Sequence, residues 1–448
     1  MSLFGNKYPK NIQAAQKVPM SSPDPGWMGQ GVAMDGALAG RIAARARRFG
    51  SLSWSEFMDA ALYDPDDGFY QAGGQAGRGG DFVTSPELGP LFATVVAHAL
   101  DRCWEEVGRP DPFVVVEAAA GVGTLARDVL AARPACSPAL RYVLVERSAT
   151  LRGAQAERLA LENPALVLGP IAPGEDPDDD EARVVPGTGP LVTALVELPA
   201  VGITGVVLAN ELLDNLAFDL LEWRHDRWHE VRVAAADSRP LERAAADSGP
   251  LERAGASGGL TGASAGAAGR LVELVVPAPP DLATRADRLT TGASPLSDGA
   301  RIPIQTGAGE WVAQALAMVE AGRVIVIDYA DTTDALARTP HARWLRTFRQ
   351  HQVALSPLEV PGSQDITCVV AWDQLPAPQL NGSQAEWLDE HGLAPLVQAA
   401  RQTWRERAAI GDLPAMVARS RVREAEALTD PQGLGGHRVL QWQIGRRA

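Results

Sequence analysis

Apolar positions in this chain gather into short unbroken runs that recur between stretches with helical spacing. Phe113-Val114-Val115-Val116, Tyr142-Val143-Leu144-Val145, Gly205-Val206-Val207-Leu208-Ala209 and Val324-Ile325-Val326-Ile327 are each four or five residues long and rich in β-branched side chains. Runs of that length with no polar alternation suit strands buried on both faces, the pattern of a parallel sheet covered by helices. Thr124-Leu125-Ala126-Arg127-Asp128-Val129-Leu130 follows the first run with apolar residues at helical intervals, and Arg147 to Gln155 follows the second. Strand and helix in alternation predict an α/β fold of the Rossmann-like kind.

Other patterns predict the elements around that sheet. Leu38 to Arg48 reads as an amphipathic helix, and Ser53 with Glu56 stands in capping-box spacing at the start of another that runs to Leu62. Thr84, Pro86 and Glu87 predict the start of a helix carrying Leu88, Leu91, Phe92, Val95, Val96 and Leu100 on one side. Phe218 to Val233, with a polar turn at Arg224-His225-Asp226-Arg227, reads as a β-hairpin. A helix is expected from Glu310 to Glu320, a fourth buried strand from Gln364 to Trp372, helices from Ala385 to Leu428, and a closing strand over His437 to Gln443.

Composition divides the chain further. Residues 1–34 are rich in Pro, Gly, Ser and Met without periodicity and are expected to be a disordered tail. Residues 35–112 form an N-terminal helical lid region, and Gly73 to Gly80 within it is too glycine-rich to hold one shape unaided. Residues 113–233 make the first half of the core. Residues 234–270 hold a ten-residue duplication, AAADSRPLER then AAADSGPLER, followed by a Gly/Ala/Ser tract, and read as a low-complexity insertion. Residues 271–448 complete the core. Glu175 to Glu181 reads as a solvated acidic loop.

A net charge of −14 over 448 residues, with no basic cluster after the three lysines near the start, argues against a nucleic-acid partner. The three cysteines, Cys103, Cys136 and Cys368, are isolated, which fits a reducing compartment and offers no metal-ligand spacing. No run of 18 apolar residues occurs, so a soluble, cytoplasmic protein without membrane insertion is expected.

The candidate chemistry lies at the strand ends. After Val116 the chain reads Glu117-Ala118-Ala119-Ala120-Gly121-Val122-Gly123, small residues that permit a sharp turn against a ligand. About 25 residues on, Glu146 ends the second strand, where doubly wound folds place the carboxylate that holds a ribose hydroxyl pair. Asn210-Glu211, Asp214 and Asp328 stand at or just past later strand ends. Four acidic strand ends make a poor phosphate site and a good one for a ligand with a ribose and a cationic centre. A nicotinamide enzyme is an alternative, since Gly121 to Ala126 fits G-x-G-x-x-A, but no later segment supplies a recognisable hydride-transfer acid or base.

Several segments taken together carry a family resemblance. Leu62-Tyr63-Asp64-Pro65, Gly80-Asp81-Phe82-Val83-Thr84-Ser85-Pro86-Glu87, the Glu117 to Leu125 loop, Glu146 with Leu151-Arg152 and Gln155, Asn210-Glu211-Leu212-Leu213-Asp214, Trp228, Asp328-Tyr329, and Gly362-Ser363-Gln364-Asp365-Ile366-Thr367 resemble the MidA-like methyltransferases over roughly residues 38–445. The resemblance implies a class I methyltransferase sheet, S-adenosylmethionine as cofactor, and a protein substrate, since mitochondrial members methylate an arginine of a respiratory complex I subunit. It implies that Gly80, Asp81, Glu117, Ala119, Gly121, Gly123 and Glu146 bind the cofactor, and that Asn210, Glu211 and Asp214 face the transferring methyl group. A homodimer is compatible with the sequence. The family usually has Gly where this chain has Ala119, so that residue is expected to be strained, and Ala330, Val369 and Ala371 also depart from the pattern. A binding or assembly protein that keeps the fold without turnover is the remaining alternative.

Overall fold

The computed structural model describes residues 37–71, 84–169, 185–237, 269–292, 294–349, 352–353 and 356–445. Its centre is a seven-stranded sheet of β1 (Phe113–Ala118), β2 (Leu140–Val145), β3 (Leu191–Leu195), β4 (Ile203–Asn210), β5 (Val319–Asp328), β6 (Leu380–Ser383) and β7 (Arg438–Ile444), in the order 3-2-1-4-5-7-6. The first five strands are parallel, and β7 lies antiparallel to both β5 and β6. Chain order reverses between β1 and β4, the position where such sheets leave a crevice beyond their carboxyl ends.

Alternation along the strands divides the core into two layers. Val115 of β1 joins Tyr142, Leu144, Val206, Leu208 and Ile325 beneath α3 (Pro90–Glu106) and α4 (Thr124–Ala132). Val114 and Val116 join Val143, Val207, Val324, Val326 and Trp442 on the other face, covered by α6 (Thr306–Met318). Every residue of β1 and β2 is buried, as their unbroken apolar runs predict.

A second layered body carries the N-terminal side of the crevice. Helices α1 (Ala37–Phe49) and α2 (Trp54–Tyr63) pack on a five-stranded antiparallel sheet built from residues 52–53, 219–224, 227–235, 271–277 and 301–304. The Ser53–Glu56 capping box at the start of α2 is fully formed, and the predicted 218–233 hairpin is present as strands 219–224 and 227–235. The low-complexity insertion leaves from one strand of this sheet and returns on its neighbour, because Ala235 pairs with Leu271 and Ala236 N–H donates to the Arg270 carbonyl at 2.9 Å. Residues 238–268 and all of the 1–34 tail and the Glu175 to Glu181 loop lie outside the described residues.

Several elements differ from the sequence pattern. The helix expected through residues 85–100 breaks after Leu88, since Pro90 starts a new helix and the Glu424 carboxylate accepts Leu91 N–H at 3.2 Å at that new start. Thr84 makes no side-chain cap there. The helix around Glu310 spans Thr306–Met318, and β5 begins directly at Val319. Asp365–Cys368 pairs with Leu345–Arg349 in a separate three-stranded sheet and does not join the central one. The edge strands β3 and β6 are only partly buried, so they lack the apolar run that marks the central strands.

The closed hairpin ends make a stability test available. Replacing residues 238–268 by a two-residue Asn-Gly turn shortens the loop about eightfold, and at about 0.6 kcal/mol per halving this is expected to raise the unfolding free energy by about 2 kcal/mol. Urea denaturation checks this; loss of stability would show that the insertion supports the sheet it leaves.

Candidate functional site

A cavity of about 320 Å³ opens at the switch point between β1 and β4, within the size range of small-molecule sites. The turn after β1 supplies Glu117 to Val122, the end of β2 supplies Val145, Glu146 and Arg147, and the segment after β3 supplies Val196, Glu197 and Leu198. Asn210 ends β4 and Glu211, Leu212, Asn215 and Leu216 follow it, while Tyr63 and Tyr70, Thr84, Pro86 and Glu87, and Trp311 with Gln314 close the remaining sides.

The β1 turn is shaped by left-handed backbone. Ala119 has φ 55°, Gly121 φ 52° and Gly123 φ 80°. For Ala119 this is the expected strain, worth about 1–2 kcal/mol relative to an ordinary conformation. The residue lines the cavity and is exposed. Glu211, at the end of β4, is also left-handed at φ 52°. Two non-glycine residues in this sparsely populated region thus flank the same crevice, a placement typical of sites where strain is retained for function. A Cβ built at Gly121 would meet no atom within 4 Å, so the turn leaves open space at that point.

Glu146 braces this turn. Its Oε2 accepts Gly121 N–H at 2.9 Å and its Oε1 accepts Ser148 N–H at 2.8 Å. Burial raises its pKa, and the Ser148 and Gly121 N–H groups oppose that rise. Gln155 donates to the Gly121 carbonyl at 2.7 Å from the next helix, which fixes the turn from the other side. Gly123 does not line the cavity; its N–H closes the turn on the Ala120 carbonyl at 2.9 Å, and it starts α4. Gly80 and Asp81 lie outside the described residues.

Carboxyl groups concentrate at the strand ends around the cavity. Glu117 accepts the Tyr142 hydroxyl at 2.7 Å, and burial raises its pKa to about 8 despite that bond. Burial first, then Asp214, raises Glu211 to about 8, while Asn210 and the Ser85 N–H oppose the shift. Asp328 sits behind them, also raised to about 8 by burial and by Glu211, and accepts N–H bonds from Leu213 at 2.9 Å, Asp214 at 3.3 Å and Tyr329 at 2.8 Å.

Asp214 corrects the sequence expectation. After Leu212 the chain enters a 3-10 turn, Leu213–Asn215, which presents Asn215 to the cavity and holds Asp214 beneath the wall at 4% exposure. Asp214 lies against Asp328 and Asp365, and its pKa is raised well above the usual carboxylate range chiefly by burial. Its Oδ1 and the Asn210 Oδ1 have no hydrogen-bond partner. Tyr63, Tyr70, Arg147, Asn215 and Trp311 were not assigned cavity roles from sequence; Tyr63 stands in a recognisable motif, whereas Trp311 is only one apolar position on a helix.

The cavity is rich in carboxyl groups and poor in cations. Its lining holds Glu87, Glu117, Glu146, Glu197 and Glu211 against Arg147 as the one cation among the described lining residues. Arg147 is itself engaged, stacked 4.4 Å from the Tyr63 ring centroid and paired with Asp59 at 3.0 Å. Among the described residues no group of three or more His, Cys, Asp or Glu has metal-binding geometry, and no helix is long and apolar enough to cross a membrane.

These raised pKa values fix a direction of pH dependence. Glu117, Glu211 and Asp328 hold protons in the folded state that the unfolded chain releases near pH 4 to 4.5, so their contribution favours folding at low pH and is lost as pH rises toward about 8. Glu211→Gln removes one such group. In urea denaturation of the free protein, wild type is expected to lose stability relative to Glu211→Gln between pH 5 and 8; a constant difference would contradict the raised Glu211 value.

Comparison with known proteins places this geometry in a family. A family model described as S-adenosyl-L-methionine-dependent methyltransferase matches residues 95–388. Protein arginine methyltransferase NDUFAF7 homolog, mitochondrial, of Drosophila melanogaster is 32% identical over 211 residues, 47% of this chain and 47% of that protein. The Xenopus tropicalis protein arginine methyltransferase NDUFAF7 is 29% identical over 204 residues, 44% of this chain and 46% of its own length. The chain thus aligns with about half the length of these curated relatives. A Burkholderia thailandensis protein solved with S-adenosyl-homocysteine superposes with a TM-score of 0.66 at 25% identity, covering 92% of this chain and 93% of that one. With a crevice at the switch point and a family match over most of the sheet, the chain belongs to the S-adenosyl-L-methionine-dependent methyltransferases.

Proposed function

We propose that this protein transfers a methyl group from S-adenosylmethionine to an arginine guanidinium of a protein substrate. The observation that carries the acceptor is the cation-poor end of the cavity, where Glu211 and Asn210 line the wall and the buried Asn210 Oδ1 lacks a partner. A guanidinium brings five N–H donors and no acceptor, so it complements such a wall better than a hydroxyl or carboxylate does. The arginine methyltransferase names of the relatives support the same reading. A respiratory complex I subunit, or a similar protein, is the proposed target.

The residues around the β1 turn fit the cofactor. Gly121 leaves open space, the Ala119 to Val122 backbone lines the cavity, and Glu146 stands at the end of β2 where a ribose diol is held. When bound, S-adenosylmethionine supplies a methyl group already activated on a sulfonium. The protein's contribution is then mainly to place the acceptor nitrogen in line, an effect that can supply ~7–11 kcal/mol of the barrier. Glu211 is proposed to grip the guanidinium and orient one nitrogen toward the methyl carbon. Glu211 would be the group placed to take the proton that the acceptor nitrogen sheds on methylation. Asp328 acts from behind the wall, holding the turn after β4 through the Leu213 and Asp214 N–H groups, and neither it nor Asp214 lines the cavity.

Two variants separate the halves of the site. Glu146→Ala is expected to weaken S-adenosylhomocysteine binding about 10- to 100-fold, the loss of charge-assisted hydrogen bonds worth roughly 1.5–3 kcal/mol. Isothermal titration reads this, and unchanged affinity would reject the ribose assignment. Glu211→Gln is expected to keep S-adenosylhomocysteine affinity within about threefold and to cut methyl transfer from labelled cofactor into lysate protein by 100-fold or more, in keeping with loss of a positioned acid-base group. Mass spectrometry of the labelled protein should place the methyl on arginine; a methyl on lysine or on a small molecule would overturn the acceptor assignment.

A further inference from the structure

The segment Gly362 to Thr367 is absorbed by none of the roles above, yet it touches the acceptor end from behind. Asp365 is 1% exposed and does not line the cavity. Its Oδ1 accepts three donors: the Tyr70 hydroxyl at 3.0 Å, Asn215 Nδ2 at 3.0 Å and its neighbour's backbone N–H, from Ile366, at 3.0 Å. Tyr70 and Asn215 both line the cavity and come from distant parts of the chain, the turn after α2 and the 3-10 turn after β4. Asn215 also donates to the Ile366 carbonyl at 3.1 Å, so its amide is held at two points by the same strand.

The approach of this segment to the Tyr70 turn is close enough to exclude a side chain. At Gly362 an added Cβ would lie 2.2 Å from the Asp67 carbonyl oxygen and 2.9 Å from Leu38. Tyr70 in turn is tied at its other end, where its carbonyl accepts the Ser148 hydroxyl at 2.8 Å and the following Gln71 carbonyl accepts Thr150 at 3.0 Å. Ser148 is the N-cap of α5 (Ala149–Gln155) and donates its N–H to Glu146. Tyr70 is therefore a strut across the cavity wall, with its backbone anchored beside the ribose acid and its hydroxyl anchored on Asp365. The ring is further fixed by stacking on Tyr63 at 5.5 Å and 24°.

We propose that Asp365 is a positioning residue for methyl transfer, aligning the acceptor end of the site through Tyr70 and Asn215 without contacting cofactor or acceptor. The proposal rests on the reading that the acceptor enters beside Glu211. Because the two anchors of Tyr70 are separate, releasing the hydroxyl loosens the acceptor end while the Ser148 anchor still holds the Glu146 end. A purely structural role would weaken both ends together.

The test uses the full chain, S-adenosylhomocysteine as the cofactor-site probe, and labelled S-adenosylmethionine with a lysate from cells lacking the gene as the transfer assay. Tyr70→Phe, which removes one oxygen, is expected to bind S-adenosylhomocysteine within twofold of wild type, leave KM for S-adenosylmethionine unchanged and lower the saturated labelling rate at least tenfold. Asp365→Ala should lower it further, and Tyr70→Phe combined with Asp365→Ala should be no slower than Asp365→Ala alone, since both substitutions remove one shared bond. Wild-type labelling by Tyr70→Phe, a parallel fall in cofactor affinity, or multiplying losses in the double variant would each overturn the proposal. A crystal structure of Asp365→Ala with S-adenosylhomocysteine supplies a reading that needs no acceptor: displaced Tyr70 and Asn215 side chains are expected, and unmoved ones refute the alignment. Should that variant fail to fold, displacement of the ring in Tyr70→Phe decides the same point. If wild type labels nothing, the methyl-transfer reading fails while the structural comparison still judges Asp365.

Discussion

Desolvated carboxylates with too few cations to pair them are the constraint around which this site is organised. Glu117, Glu211, Asp214 and Asp328 crowd the carboxyl ends of three adjacent strands, and burial pushes each of them above the usual carboxylate range. Such groups are costly when charged and unpaired, so the free protein keeps them protonated. A ligand that carries positive charge into the hollow offsets that penalty, and the same physics disfavours an anionic one. The fold thereby selects for charge before any shape-specific contact is made.

Supporting structure converts this arrangement into a defined geometry. The β1 turn is held from one side by Glu146 and from the other by Gln155, both through backbone groups of Gly121. The wall opposite is held by Asp328, which fixes the turn after β4 through two N–H donors, and by Asp365, which fixes Tyr70 and Asn215. Acids that never reach the cavity thus set the positions of those that do. The second body, with α2 and its five-stranded sheet, brings Tyr63 and Tyr70 over a crevice that the central sheet alone would leave open.

The central strands and the chemistry at their ends were legible in the sequence because burial on two faces leaves an unbroken apolar run, and a polar residue after it marks the carboxyl edge. Glu117, Glu146, Asn210 and Glu211 were found in that way. Asp214 was misplaced because a strand-end motif does not reveal that the next three residues form a 3-10 turn, which rotates Asn215 to the cavity in its place. The edge strands carry partial burial and no run, so they gave no signal. Trp311 and Glu197 reach the cavity only through tertiary packing. Asp365 lay in a segment read as a central strand, and its real neighbours come from residues some 150 and 295 positions away, a relation no local pattern encodes.

The claim that a cationic ligand discharges the protons stored on these acids is tested most directly by calorimetry. S-adenosylmethionine and S-adenosylhomocysteine differ by a methyl and the sulfonium charge it creates, so titrating each near pH 7 in buffers of different ionisation enthalpy isolates the effect of that charge. The account expects S-adenosylmethionine to release more protons than S-adenosylhomocysteine, by an amount approaching one and reduced in Glu211→Gln. Equal proton release by the two ligands would contradict it.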